Sequence, residues 1–458
     1  MSSESSAMHS NRQTGDLPDY KRVLSFWDLF FISVGVIVGS GVMIFTGRAI
    51  GMTGRSICLA YLGASIWVIC MGVPIILLSS CIRLIGGQYT QSNIFLGERW
   101  GGFYLSIYIL SQLGLTLYAQ TFALYFTELI GGGNQKVVAG IMITFFYFIN
   151  FFGVDIMAKA QNIMSGILIL ALVWFVVRGL PKVNWSGFFG GEGWMPGGWK
   201  GLFAASTLLT YSLLGGTNLI VFSAEAKNPK RDIPLAAASS TIVIAVLFAL
   251  IGIVASGILP LEQVANQTLG VIARHFLTTP EYIFFMVGGA LCASATTLNG
   301  LIGSVAIPLV MLSHDGWLPK TLGELHPKFK TPYKYLLIYY LITMTPLVIG
   351  VDISSVTDMT LLGSYTQTTL FIFFMRKIPD MFPEQWEKSV FRMPRGVFQV
   401  LMWVCFLASL SNVWGQITNS DIKTIAFNVA VMVVGIVFSL SWYKSGKVHA
   451  SKSYELET

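Results

Sequence analysis

The sequence predicts an all-α membrane protein of twelve transmembrane helices in a five-plus-five inverted-repeat fold, with helices 1 and 6 broken. Three observations predict it. Hydrophobic residues make up 54% of the 458-residue chain and charged residues 11%, with a mean hydropathy of +0.67, which excludes a soluble globular enzyme. The apolar residues gather into runs long enough to cross a bilayer. Two of those runs, five spans apart, are interrupted near their middle by glycine, the pattern of a transporter whose site lies at the breaks.

A spanning helix needs roughly 20 apolar residues. Such runs lie near 25–50, 56–81, 101–130, 137–155, 160–179, 201–225, 238–259, 281–312, 333–350, 353–375, 395–418 and 422–443. The chain divides accordingly into a tail (1–24), a first repeat (25–179), an outer loop with the second repeat (180–375), a loop with the last two spans (376–443) and a second tail (444–458). The first 25 residues are polar and lack the apolar core and small-residue cleavage site of a signal peptide, so a tail is expected there.

Of the 29 Lys and Arg residues, 21 fall on one side of this arrangement and 8 on the other (Arg48, Arg55, Lys136, Arg178, Lys182, Lys200, Arg274 and Lys423). Basic loops stay in the cytoplasm, so both termini are predicted to be cytoplasmic. The net charge of +7 then reports topology and contact with the head groups of the lipid bilayer, not a nucleic-acid partner. Cys58, Cys70, Cys81, Cys292 and Cys405 all fall within spans, which predicts no structural disulfide.

The first glycine interruption is VGVIVGSGVM, from Val34 to Met43. Gly35-x-x-x-Gly39 fits close helix packing. A second interruption, YSLLGGTN from Tyr211 to Asn218, favours a pair of functional breaks. Where a helix unwinds, the amides that begin its next half lack acceptors and favour a carboxylate, while the carbonyls ending the previous half favour a cation. An amino acid carries both charges on one carbon. No Asp, Glu, Lys or Arg lies between Leu29 and Arg48, as expected if backbone groups bind the ligand.

At these residues the chain resembles the amino acid-polyamine-organocation (APC) permeases, on the side of their L-type and bacterial amino-acid exchangers. The G-x-I-I-G-S-G-I-F of that family's first span is matched by Gly35 to Met43, and its E-x-x-N-P-x-x-x-x-P by Glu225, Asn228, Pro229 and Pro234. GGQYTQSNIFLGERWG and HDGWLPKTLGELHPKFKTP resemble its loops after spans two and eight. The resemblance extends from about residue 25 to 335.

The resemblance implies that Gly39, Ser40 and Gly41 hold a substrate carboxylate, and that carbonyls near Ile37, Val38, Leu213 and Leu214 meet its ammonium. Tyr211 falls where the family has an aromatic that closes over substrate. Gly216 replaces a tryptophan common among the exchangers, so Gly215 and Gly216 leave a side-chain-sized space and room for a bulkier substrate. Leu168 stands where related members carry a lysine, which removes a lysine-based proton switch. Sodium-coupled carriers of this fold place Na+ between helices 1, 5 and 8; Gly35 and Val38 carbonyls with Thr296 and Thr297 would be its ligands here. A Thr pair also commonly bonds its own helix. The loop Gly131–Lys136 lacks the cysteine by which animal heteromeric members join a heavy subunit, so no disulfide-linked partner is expected.

Among other polar residues in spans, Gln112 is the first candidate to line the pocket, ahead of Tyr108, Asn299, Tyr365, Thr366 and Gln367; each also reads as an interhelical hydrogen bond. Glu225 reads as a gate clasp or as a surface ion pair. The five His show no metal-ligand spacing, and no Cys-x-x-Cys or phosphate-binding glycine loop occurs, so neither an enzyme nor a cofactor is predicted, apart from the Na+ considered above. The predicted function is secondary transport of a neutral amino acid by exchange across a plasma membrane. The alternatives are a sodium-coupled amino-acid symporter, a polyamine or other organocation permease, and a channel, which would want a ring of carbonyls or charges along a pore.

Overall fold

The computed structural model describes residues 21–39, 41–84, 86–350, 353–389, 391–449 and 454–455. It is built almost wholly of helices. In chain order the main ones are α1 (Phe26–Ile37), α2 (Gly41–Thr53), α3 (Ile57–Cys81), α4 (Gly101–Gln112), α5 (Leu115–Ile130), α6 (Gln135–Phe151) and α7 (Val154–Gly179). Then follow α8 (Gly198–Leu213), a 3-10 segment (Gly216–Ala224), α9 (Pro229–Gly257), α10 (Cys292–Val305), α11 (Tyr333–Ile349), α12 (Ile353–Met375), α13 (Arg395–Asn419) and α14 (Ile422–Lys444). Among the described residues, eight helical stretches are long and apolar enough to cross a membrane, and Phe26–Ile37, Gln135–Phe151 and Tyr333–Ile349 are shorter apolar helices. Ile141, Phe148, Ile163, Leu170 and Val434 are exposed on outward faces, as the hydrocarbon of a bilayer requires.

Both glycine-marked spans are interrupted. α1 opens with a capping box, the Ser25 N–H donating to Asp28 Oδ2 at 2.9 Å while Ser25 Oγ accepts from the Asp28 N–H. It ends at Ile37, where Val38 leaves helical geometry with ψ 72° and the Gly39 N–H turns back to the Ile37 carbonyl at 2.9 Å. α8 ends at Leu213; Leu214 is extended, and Gly215 takes φ 141°, a conformation that L side chains rarely adopt. Two further irregularities lie outside the two breaks read from the sequence. The third predicted span is divided at Leu113–Gly114, and a π-helical turn, Met286–Leu291, precedes α10. In that turn Gly288 lies so near Ala171 of α7 that a Cβ would come within 2.9 Å of the Ala171 methyl.

α1 is held by hydrogen bonds to three neighbours. Ser33 Oγ lies 2.6 Å from Ser240 Oγ of α9, Asn162 Nδ2 and Ser165 Oγ of α7 donate to Asp28 Oδ1 and the Phe31 carbonyl, and Thr297 Oγ1 of α10 donates to the Gly35 carbonyl. Polar groups such as these hold helices together where lipid offers no hydrophobic driving force between them. At the other end of α1 the backbone pairs with the end of the sixth predicted span: the Val23 and Leu24 N–H groups donate to the Glu225 carbonyl, and the Lys227 N–H donates to Leu24 O. The Glu225 side chain is buried, which removes its surface-ion-pair reading. The tail over 1–20 lies outside the described residues.

Candidate functional site

Between the breaks lies a cavity of about 500 Å³. Its wall is assembled from Val36 on α1, Met71 and Ile75 on α3, Gln112 at the end of α4, Tyr118 on α5, Tyr211 to Asn218 across the second break except Ser212 and Leu213, Thr241 on α9 and Tyr365, Gln367 and Phe371 on α12. It extends to Gln88, Phe391 and Met393 on connecting segments. No described residue of the wall is Asp, Glu, Lys, Arg or His. At its opposite end α2 and α8 are packed together: the Phe45 and Tyr211 rings meet edge to face at 5.6 Å, and a Cβ at Gly41 would come within 2.7 Å of Ser212 Oγ.

The predicted substrate residues fall into two groups. Gln112, Tyr211, Leu214, Gly215 and Gly216 line the cavity. Ile37, Val38, Gly39, Gly41 and Leu213 are buried and do not line it, and Ser40 lies outside the described residues. A side chain at Gly215 or Gly216 would be crowded at its first carbon. A Cβ on Gly215 would lie 2.9 Å from the Val36 backbone, and one on Gly216 would lie 2.9 Å from Thr241 Oγ1. These glycines let helix 1, the second break and α9 approach one another beside the cavity. Of the further polar candidates, Tyr108, Tyr365 and Gln367 line the cavity. Asn299 and Thr366 do not, and the Thr366 hydroxyl donates to Leu362 O of its own helix.

At the junction of helices 1, 5 and 8, Thr296 bonds its own helix, donating to the Cys292 carbonyl at 2.8 Å. Thr297 Oγ1 reaches across to the Gly35 carbonyl at 2.8 Å as well as to Ala293 O. Leu168 is buried among apolar residues that include Val34 and Val38. The residue that sequence reading missed is Gln161. A Cβ on Gly35 would overlap its Nε2, which is fully buried and has no hydrogen-bond partner. Its Oε1 accepts from Asn299 Nδ2 at 2.7 Å, and Asn299 Oδ1 accepts from Asn150 Nδ2 at 3.0 Å. Three carboxamides from α7, α10 and α6 thus end against Gly35 in the last turn of α1. Gly35 therefore serves close packing, with a side-chain amide as its partner.

Apolar outward faces, two broken helices and an uncharged internal cavity define a polytopic membrane transporter. The sequence model of the Amino acid permease family matches residues 24–439, and the chain belongs to that family; it is a permease and not an enzyme. The branched-chain amino acid permease BcaP of Bacillus subtilis is 23% identical over 359 residues, 68% of this chain and 71% of BcaP. A methylthioribose transporter of the same organism is 25% identical over 342 residues, 68% of this chain and 72% of that protein. The human cationic amino acid transporter 4 is 24% identical over 370 residues, 75% of this chain and 58% of that protein.

Proposed function

We propose that this permease exchanges neutral amino acids across a plasma membrane by alternating access, on twelve spans in two inverted repeats with both termini cytoplasmic. The observation that carries the reading is the cavity between the two breaks, whose described wall holds no ionised side chain. Burying a cationic side chain or a polyamine there without a paired acid is costly, which favours a zwitterion met by backbone groups and an uncharged side chain. In this reading Gly39, Ser40 and Gly41 take the carboxylate, carbonyls of Ile37, Val38, Leu213 and Leu214 take the ammonium, and Tyr211 closes the outer end. The cavity runs toward loops assigned to the cytoplasm while α2 and α8 are packed together, which is the inward-facing arrangement.

Sodium coupling finds little support at the 1–5–8 junction. The Thr297 hydroxyl lies within bonding distance of both the Gly35 and Ala293 carbonyls, and Gln161 Nε2 stands beside Gly35. A cation there would have to displace that amide N–H group. Labelled amino-acid uptake into liposomes holding only this chain is expected to rise on preloading with amino acid and to persist when choline replaces Na+, with no second subunit added. Thr297→Ala should leave that sodium independence unchanged. Uptake that needs external Na+ and ignores preloading would overturn exchange in favour of symport. Activity appearing only with a second membrane protein would overturn the single-chain reading.

A further inference from the structure

The segment that follows α14 is docked on the loops beside it. Trp442, in the last turn of α14, donates from Nε1 to the Gly316 carbonyl at 3.1 Å, and the His449 N–H donates to the Asp315 carbonyl at 3.0 Å. Val448 is buried, and Gly316, at φ 85°, lies so close that a Cβ there would overlap the Lys447 carbonyl. Farther along, β2 (Tyr454–Glu455) pairs antiparallel with β1 (Arg83–Leu84), Glu455 facing Arg83. One segment thus holds two loops.

Those loops belong to different parts of the molecule. β1 follows α3, which packs on α8 and α9 through the Trp67–Phe203 and Tyr61–Phe248 ring pairs and so goes with the second break. Asp315 and Gly316 instead lie beyond α10, which Asn299 ties to α6 and α7. The boundary between the two parts runs through the turn after β1. There a Cβ at Gly87 would come within 3.0 Å of the Val221 backbone beside the second break, Gln88 lines the cavity, and Tyr89 donates to the buried Asp315 carboxylate at 2.8 Å.

Alternating access rocks the broken helices, with what packs on them, against the rest of the fold, so this boundary has to move. A contact made in one arrangement and lost in the other stabilises the first. We infer that the segment after α14 is a strap that holds the inward-facing arrangement and brakes exchange, tying β1 on the rocking side to Asp315 and Gly316 on the other. The inference rests on the alternating-access reading above and adds a control to it. A few backbone bonds and one buried valine can slow a step and still be released by local opening.

Two changes to the strap act in opposite directions. In liposomes, a chain ending at Ser445 should exchange a labelled mixture of neutral amino acids about three- to tenfold faster than the full chain, the net worth of one or two hydrogen bonds. Arg83→Cys with Glu455→Cys keeps the whole chain and pins the strand pair when oxidised. Exchange by that variant should fall to background with copper phenanthroline and return with a thiol reductant, while the wild type responds to neither. Shortened protein that folds but exchanges no faster, a cysteine pair that fails to crosslink, or a pinned pair that exchanges at the wild-type rate would overturn the strap and leave transport standing. If the shortened chain does not fold, the pinned pair decides alone. Wild-type protein that carries no amino acid would remove the transport reading and the brake together.

Discussion

Gly215→Ala is expected to abolish uptake and to lower stability by about 3 kcal/mol, because two independent penalties fall on one methyl group. The backbone at Gly215 has φ 141°, and a Cβ there would stand 2.9 Å from both the carbonyl carbon and oxygen of Val36. Neither can be relieved by rotating a side chain, since the obstacle is the backbone of the first broken helix. The neighbouring Gly216→Ala provides the control. Its closest contact would be the Thr241 hydroxyl at 2.9 Å, a side-chain atom, so its effect should be milder and should be relieved further by Thr241→Ala. Thermal unfolding in detergent alongside liposome uptake measures both. Wild-type uptake by Gly215→Ala would mean that close approach of the two breaks is unnecessary for transport.

Gly35→Ala should also be severe, at about 2–3 kcal/mol, because the new methyl overlaps Gln161 Nε2 and crowds the Thr296 Cβ at 2.8 Å. To make room, Gln161 would have to surrender its bond from Asn299 inside a fully buried chain of carboxamides. The double variant Gly35→Ala with Gln161→Ala should recover part of the loss, since the amide clash vanishes while the Thr296 contact stays. A double-mutant cycle on unfolding midpoints gives the coupling directly, and residues in contact typically couple by about 0.5–3 kcal/mol. Strict additivity would place Gln161 away from Gly35 and would withdraw the packing explanation of that glycine.

These two glycines show what could be read from the chain and what could not. Both breaks were legible because a glycine cluster in the middle of an apolar run is a local signal: unwinding is a property of a few consecutive residues, and Val38–Gly39 and Leu214–Gly215 do unwind. Tyr211 was placed at the cavity by counting from such a motif and Gln112 as a polar residue within a span, and both line it. That a Cβ at Gly216 would stand 2.9 Å from Thr241 Oγ1 was not legible, because a missing side chain says nothing about which neighbour approaches. Gln161 was passed over for the same reason, since nothing in its own span distinguishes a glutamine facing lipid from one facing Gly35.

The sequence by itself determined the membrane class, the helical runs, the positions of the two breaks and the permease family, all of which rest on composition, on hydropathy summed along the chain and on motifs of consecutive residues. Only the tertiary structure decided that Gln161, Asn299 and Asn150 form one chain of amides and that Thr297 closes onto the Gly35 carbonyl. The physical reason is that a hydrogen bond within a bilayer depends on which helix faces meet. Thr297 and Gly35 stand 262 residues apart, and no periodicity within either helix records the rotation that brings them to 2.8 Å.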